Sequence, residues 1–254
     1  MRDLSVHADA ALLPGGRFRL RGKTAIGLFP SLFTLECWNL PEESFLRLTR
    51  TKSLSVFRGI SCLASGTVSD VYRRTVPEGT VTTAAFSLGL DLWEAQVSLS
   101  VPAGISVSET VRRLLEASGT GIRLLSFPGS DRRFSRPQFF RGRAADCLTE
   151  ALGDCRGFLV PSGLRVLPAE PLPATLHLTE KDLTDAPAFA RGGKRMILST
   201  AVTGFQPGEE MTLRWQGQAF RGLILERMTE ADTGDGPWRC ELLVEVHRQN
   251  GGDL

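Results

Sequence analysis

The chain has 254 residues, 42% of them hydrophobic and 23% charged, with a formal net charge of +2; this composition argues for a globular protein and against disordered, collagenous and membrane classes. No apolar run approaches 18 residues, and "MRDLSVHADAALLPGG" carries one early arginine and acids at Asp3 and Asp9 around a weak apolar segment. The expectation is synthesis in the cytoplasm, without export or membrane insertion. Cys37, Cys62, Cys147, Cys155 and Cys240 are scattered with no C-x-x-C pair, so they read as small buried hydrophobes and not as a disulfide framework or zinc site.

Residues 1–101 read mostly as β. "RFRL" alternates, "SLFTLECW" is strand-like, and "EAQVSLSV" puts Ala95, Val97, Leu99 and Val101 on one face of a half-buried strand. Between them Pro41, Glu42 and Glu43 open a short helix whose acids suit the positive dipole end, with Phe45, Leu46 and Leu48 expected to pack inward. Residues 102–170 change period. Ser106 and Glu109 have capping-box spacing, and Val107, Val111, Leu114 and Leu115 follow at helical intervals until Gly119 and Gly121. A strand at "IRLLSF", a polar loop, a second helix at "RAADCLTEALGDC" and a hairpin around Pro161, Ser162 and Gly163 complete a small α+β module. Residues 171–254 return to β: "MTLRWQG" alternates from Met211, "WRCELLVEV" puts Trp238, Cys240, Leu242, Val244 and Val246 on one face, "ADTGDG" is a hairpin tip, and "HRQNGGDL" reads as a frayed end.

Charge is uneven. Arg112 to Arg143 holds eight arginines against Glu116 and Asp131, whereas Glu226 to the end holds seven acids against three arginines. The asymmetry points to complementary faces meeting in an assembly, or to an anionic partner. Within the basic run, Arg132, Arg133, Arg136, Arg141 and Arg143 interleave with Phe134, Phe139 and Phe140. Such a loop suits phosphates and stacked bases, or is a solvated loop anchored by its phenylalanines; its charges are expected to serve assembly or an anionic cargo and not folding.

Motifs for chemistry are sparse. In "GGRFRLRGKT" five residues separate Gly16 from Gly22, one too many for a phosphate loop, and Arg17 to Arg21 alternate as a strand does. His7, His177 and His247 have no metal-ligand spacing, and no G-x-S-x-G elbow occurs. No cofactor or metal is expected.

Phe-Arg-Gly occurs three times, at Phe57-Arg58-Gly59, Phe140-Arg141-Gly142 and Phe220-Arg221-Gly222, where composition predicts fewer than one. The middle copy precedes a helix and reads as coincidence. The outer two each follow a polar turn and lead into a long strand, so Gly59 and Gly222 are expected to mark bulges or barrel bends. Two small β-barrels flanking an α+β module would account for the recurrence.

The order of features resembles the baseplate hub family of long-tailed phages and related contractile injection machines. It runs from a strand ending in "WNL" through "LSVFRGIS", "VPAGISVSETVRRLLEASG" and "AADCLTEALGDCRGFLVPSGLRVLP" to a Pro207-Gly208 turn, a glycine-bearing strand and a last strand opening at Trp238. The resemblance implies tube-type barrels and a non-enzymatic structural hub: a homotrimer in the virion baseplate that lines the channel and adapts a six-fold tail tube to a three-fold spike or tail-tip protein. It adds the tape measure protein and transiting DNA as channel partners, makes Phe57, Arg58, Phe220 and Arg221 candidates for equivalent ring-interface strands, and gives the arginine-rich loop to the channel or to assembly. The loops are compact for that family, with no room for an added lysozyme or spike region. Two other classes stay open, a tail-associated cell-wall hydrolase and a small nucleic-acid-binding module centred on the Arg132 to Arg143 loop.

Overall fold

The computed structural model describes residues 4–128, 131–161, 163–167, 174, 176–190, 192–202 and 204–247; Ser162 of the expected hairpin turn and the expected frayed end at 248–254 lie outside them. Strands β1 (Ser5–Ala8), β2 (Ala11–Leu12), β3 (Phe18–Ala25) and β4 (Ser31–Trp38) lead to helix α1 (Glu42–Arg50), then to β5 (Ser53–Arg58), β6 (Ser61–Val76) and β7 (Gly79–Leu88). Next come α2 (Leu90–Glu94), β8 (Gln96–Val101), α3 (Val107–Ser118), β9 (Leu124–Ser126), β10 (Gln138–Arg143), α4 (Ala144–Leu152), β11 (Arg156–Val160) and β12 (Gly163–Leu167). The last strands are β13 (Leu176–Thr179), β14 (Ala188–Phe189), β15 (Arg195–Thr200), β16 (Glu210–Trp215), β17 (Gln218–Asp232) and β18 (Trp238–His247). The fold is mainly β with an α+β insert.

Contacts divide the chain into two compact units. The first comprises Met1–Ala25, Leu32–Ser87 and Leu172–Leu254. Among the described residues its strands form one sheet in the order β14-β15-β18-β17-β3-β4-β7-β6-β5-β1-β2, with β16 on β17 and β13 parallel to β16. The two terminal β regions therefore share a sheet through the antiparallel pair β3–β17, Glu226 facing Ala25 and Asp232 facing Arg19. Alternation places Met211, Leu213, Cys240, Leu242 and Val244 inward in a core with Met196, Leu198 and Ile224. In α1 the burial is narrower than the sequence suggested: Ser44 and Leu48 are buried, Leu46 is 45% exposed, and Phe45 lies half-buried under Arg73, whose guanidinium sits 4.0 Å from the ring centroid. The short helix has only one inward position per turn.

A meander recurs within this unit. Strands β5, β6 and β7 have 6, 16 and 10 residues, and β16, β17 and β18 have 6, 15 and 10. Each opens with a two-residue turn, Gly59-Ile60 between Arg58 and Ser61, and Gln216-Gly217 between Trp215 and Gln218. In each, the long strand carries an extra residue where register shifts, Ser69 in β6 and Leu225 in β17.

The second unit, Ile26–Ser31 with Leu88–Pro171, is the α+β module, and it starts earlier than the expected boundary at 101/102. The reason is packing: Leu92 of α2 and Val97 and Val101 of β8 are buried with Val107, Val111, Leu114 and Leu115 of α3 and Leu148 of α4. The short segment at 26–31 joins through Gly27 N–H to the Gly157 carbonyl at 2.9 Å and Trp93 Nε1–H to the Leu28 carbonyl at 2.6 Å. Ser106 caps α3 as its spacing predicts, accepting from Glu109 N–H, a cap worth about 1 kcal/mol. Strands β11 and β12 form the expected hairpin, β9 adds in parallel, and β8 and β10 make a separate two-stranded ribbon.

Candidate assembly surfaces

The two outer Phe-Arg-Gly copies occupy different places in the recurring meander. Phe57 and Arg58 end β5 and Gly59 begins the turn, whereas Phe220, Arg221 and Gly222 lie beyond the turn, inside β17. The tripeptides are thus not equivalent; the position matching Gly59 is Gln216, and both are left-handed, with φ +56° and +49°. Neither glycine is a bulge, since the extra residues opposite single partners are Leu63 and Ser69 in β6 and Leu225 in β17. Gly222 pairs regularly with Met211 and Val246. Its requirement is space: a Cβ there would lie 2.5 Å from the Glu245 carbonyl oxygen and 2.5 Å from Val244 Cγ1, while around Gly59 a Cβ would meet nothing within 4 Å.

The four side chains beside these glycines contact their own chain. Phe57 meets the His7 ring edge-on at 5.3 Å, Arg58 lies 5.1 Å over Trp238, and Phe220 packs on Phe189 at 5.2 Å. Arg221 Nε donates to the buried Glu210 carboxylate at 3.4 Å, and His247 Nε2 is 2.9 Å from its other oxygen.

The basic run divides on folding. Gln138–Arg143 is strand β10 and not loop, so the middle Phe-Arg-Gly also sits in a strand, with Phe140 1% exposed in the core. Phe134 packs against the same core, as the anchoring reading expects. Two arginines expected to be free of folding duties have them: Arg132 Nη2 donates to the Ala151 and Leu152 carbonyls at the end of α4, each at 3.4 Å, and Arg133 Nη1 donates to the Gly104 carbonyl at 2.7 Å. A cation at a helix C-terminus also suits its dipole. The neighbouring Asp131 accepts from Ser108 N–H and its hydroxyl at the start of α3; burial pushes its carboxyl up, and these hydrogen bonds outweigh that and hold it below the ordinary range. Arg143 lies 5.3 Å over Trp93 and 3.3 Å from Asp146. Arg136 and Arg141 are exposed.

Three acids of the C-terminal stretch, Glu226, Glu230 and Asp232, are matched within the chain. Across the β3–β17 pair Arg17 forks onto Asp232 at 3.2 and 3.0 Å, Arg19 and Arg21 reach Glu230 at 2.7 and 2.8 Å, and Lys23 reaches Glu226 at 2.7 Å. The alternating "RFRLRGK" is one half of this ladder.

One residue that links the two meanders has no sequence signal. Arg227 of β17 is 2% exposed and donates to the Leu63 carbonyl of β6 at 2.7 Å and to the Phe205 carbonyl at 2.6 Å, with burial pushing its pKa down. The extra residue Leu225 shifts the strand phase: Gly222, Leu223 and Ile224 are buried before it, and Arg227, Thr229, Ala231 and Asp232 after it. Burial likewise pushes the Cys37 thiol up to about 12 and that of Cys240 up to about 11. Among the described residues no group of three or more His, Cys, Asp or Glu is placed to hold a metal, and no helix is long and apolar enough to cross a membrane.

No family model and no curated protein matches the sequence. Solved structures do match the fold. A tail protein from Neisseria meningitidis MC58 superposes with a TM-score of 0.75 at 11% identity, covering 95% of each chain. The Escherichia coli c3393 protein, a type VI secretion component similar to T4 tail proteins gp27 and gp5, gives 0.69 at 9% identity, covering 96% of this chain and 77% of that one. The 43 kDa tail protein of prophage MuSo2 from Shewanella oneidensis gives 0.68 at 10% identity over 98% and 97%. The chain has the fold shared by phage tail proteins and a type VI secretion component.

Proposed function

We propose that the chain is a structural baseplate hub of a phage-type tail or injection machine, acting as a homotrimer and not as an enzyme. The observation that carries this reading is the recurring meander, found in a chain of which 95% superposes on a tail protein. Three chains with two such modules each present six similar units while keeping three-fold symmetry. Such a ring seats a six-fold tail tube on one side and a three-fold spike or tail-tip protein on the other. In this reading residues 1–25 with 32–87, and residues 172–254, each contribute one barrel, and the ring encloses the channel that the tape measure protein and DNA pass through, in a virion baseplate assembled in the cytoplasm.

Native mass spectrometry with particle imaging tests it. A trimer with six density lobes around a channel is expected; a monomer, a two-fold dimer or a true hexamer overturns it. On a peptidoglycan zymogram no clearing is expected, and a clearing band would return the hydrolase reading.

A further inference from the structure

We propose that the outer edge of β10 accepts an extended acidic segment of a partner protein as a third strand on the β8–β10 ribbon. This stands independently of the tail reading. Among the described residues the ribbon has two strands only, so β10 has one strand neighbour and one side without. A strand with one neighbour offers unpaired N–H and C=O groups along its other side.

The outward row of β10 is Phe139, Arg141 and Arg143, facing Ser100, Ser98 and Gln96 across the ribbon. Phe139 is 59% exposed. Arg141 has no ion pair or hydrogen bond among the described residues, and at Arg136, just upstream, only the main-chain carbonyl is engaged, by Gln138. No ion pair among the described residues balances Arg136 or Arg141, and Glu226, Glu230 and Asp232 of the acidic stretch are engaged by Lys23, Arg19, Arg21 and Arg17. The exposed guanidinium of Arg141 is therefore complementary to a carboxylate supplied by a partner.

The number of free cations selects its class. Binding to nucleic acid gains from neutralising many phosphates, about 6–10 in salt-sensitive complexes, and the run keeps few unengaged guanidiniums, since Arg132, Arg133 and Arg143 are occupied. A guanidinium instead pairs two-pronged with one carboxylate. In an added strand, side chains directly opposite lie about 4.5–5.5 Å away. The partner then sets a carboxylate against Arg141 and, two residues along, an apolar side chain against Phe139. A second copy of the same edge would set arginine near arginine, so the row that selects an acidic strand also rejects self-pairing.

The probe is a fluorescein-labelled peptide of about ten residues in which threonine alternates with leucine and glutamate, read by anisotropy against the full chain. Controls are its glutamine and lysine counterparts and a thymidine oligonucleotide of equal charge. The acidic peptide should bind at least about tenfold tighter than the glutamine peptide or the oligonucleotide, and new hydrogen-exchange protection should cover 138–143. Arg141→Glu should lose that preference and gain the lysine peptide, and Phe139→Ser should weaken binding several-fold, both at unchanged Tm. Equal binding of the glutamine peptide, preference for the oligonucleotide, protection elsewhere, self-association through β10, or no binding at about 1 mM would each overturn the proposal.

Discussion

The two meanders repeat a backbone plan without repeating the residues that achieve it. In the first, the left-handed turn position is filled by Gly59; in the second, by Gln216, whose N–H is held by the Glu180 carboxylate. Conversely, the second meander needs a glycine at Gly222, where its long strand lies too close to the paired β18 for a Cβ, a demand absent at Gly59. Identical tripeptides thus answer different physical problems, and the real repeat is carried by strand lengths and turns.

The largest effect should come from the link between the meanders. Arg227→Ala strands two buried carbonyls that now accept charged hydrogen bonds and should cost about 3 kcal/mol in denaturant unfolding. A loss below about 1 kcal/mol would mean that the meanders do not depend on it. Next, Gly222→Ala should cost about 2–3 kcal/mol because the β17–β18 backbones must part, against about 1 kcal/mol for Gly59→Ala. Gly59→Asn should be nearly neutral, since asparagine tolerates the left-handed region. Equal losses at both glycines would erase the distinction drawn between them.

Within the basic run, Arg132→Ser should lower stability by about 1 kcal/mol through the freed α4 carbonyls, whereas Arg136→Ser should leave Tm unchanged. The smallest effect is in acid. The folded Asp131 carboxyl lies below its unfolded value, so its contribution is present above about pH 4 and is lost as pH falls through the folded pKa. The Tm of the wild type should fall more steeply between about pH 4 and 2 than that of Asp131→Asn.

Much of this was legible in the residues. Period two in Met211–Trp215 and Trp238–Val246, and the Ser106 cap with its helical spacing, rest on local patterns that burial then follows. The α+β insert was legible for the same reason, though not its start at Leu88, because α2 has five residues and no cap signal. Long-range pairings were not legible. That the "RFRLRGK" charges meet acids over 200 positions away depends on which strands become neighbours. Buried Arg227 depends on one extra residue at Leu225, which no alternation count reveals before the register is known. Of the candidate assembly residues, the sequence named Arg141 and Phe139 but placed them in a loop; as members of β10 they acquire a common face.

The β3–β17 ladder also sets a timetable. Arg17 and its partner Asp232 are 215 residues apart, so on the ribosome β3 waits roughly 10–40 s, at about 5–20 residues per second, for the strand that will flank it. Throughout that interval one side of β3 faces solvent with a row of like charges along it. Four cations, Arg17, Arg19, Arg21 and Lys23, spaced two residues apart, would repel the same strand on a neighbouring nascent chain. The ladder that joins the two ends of the finished sheet thereby guards the unfinished one.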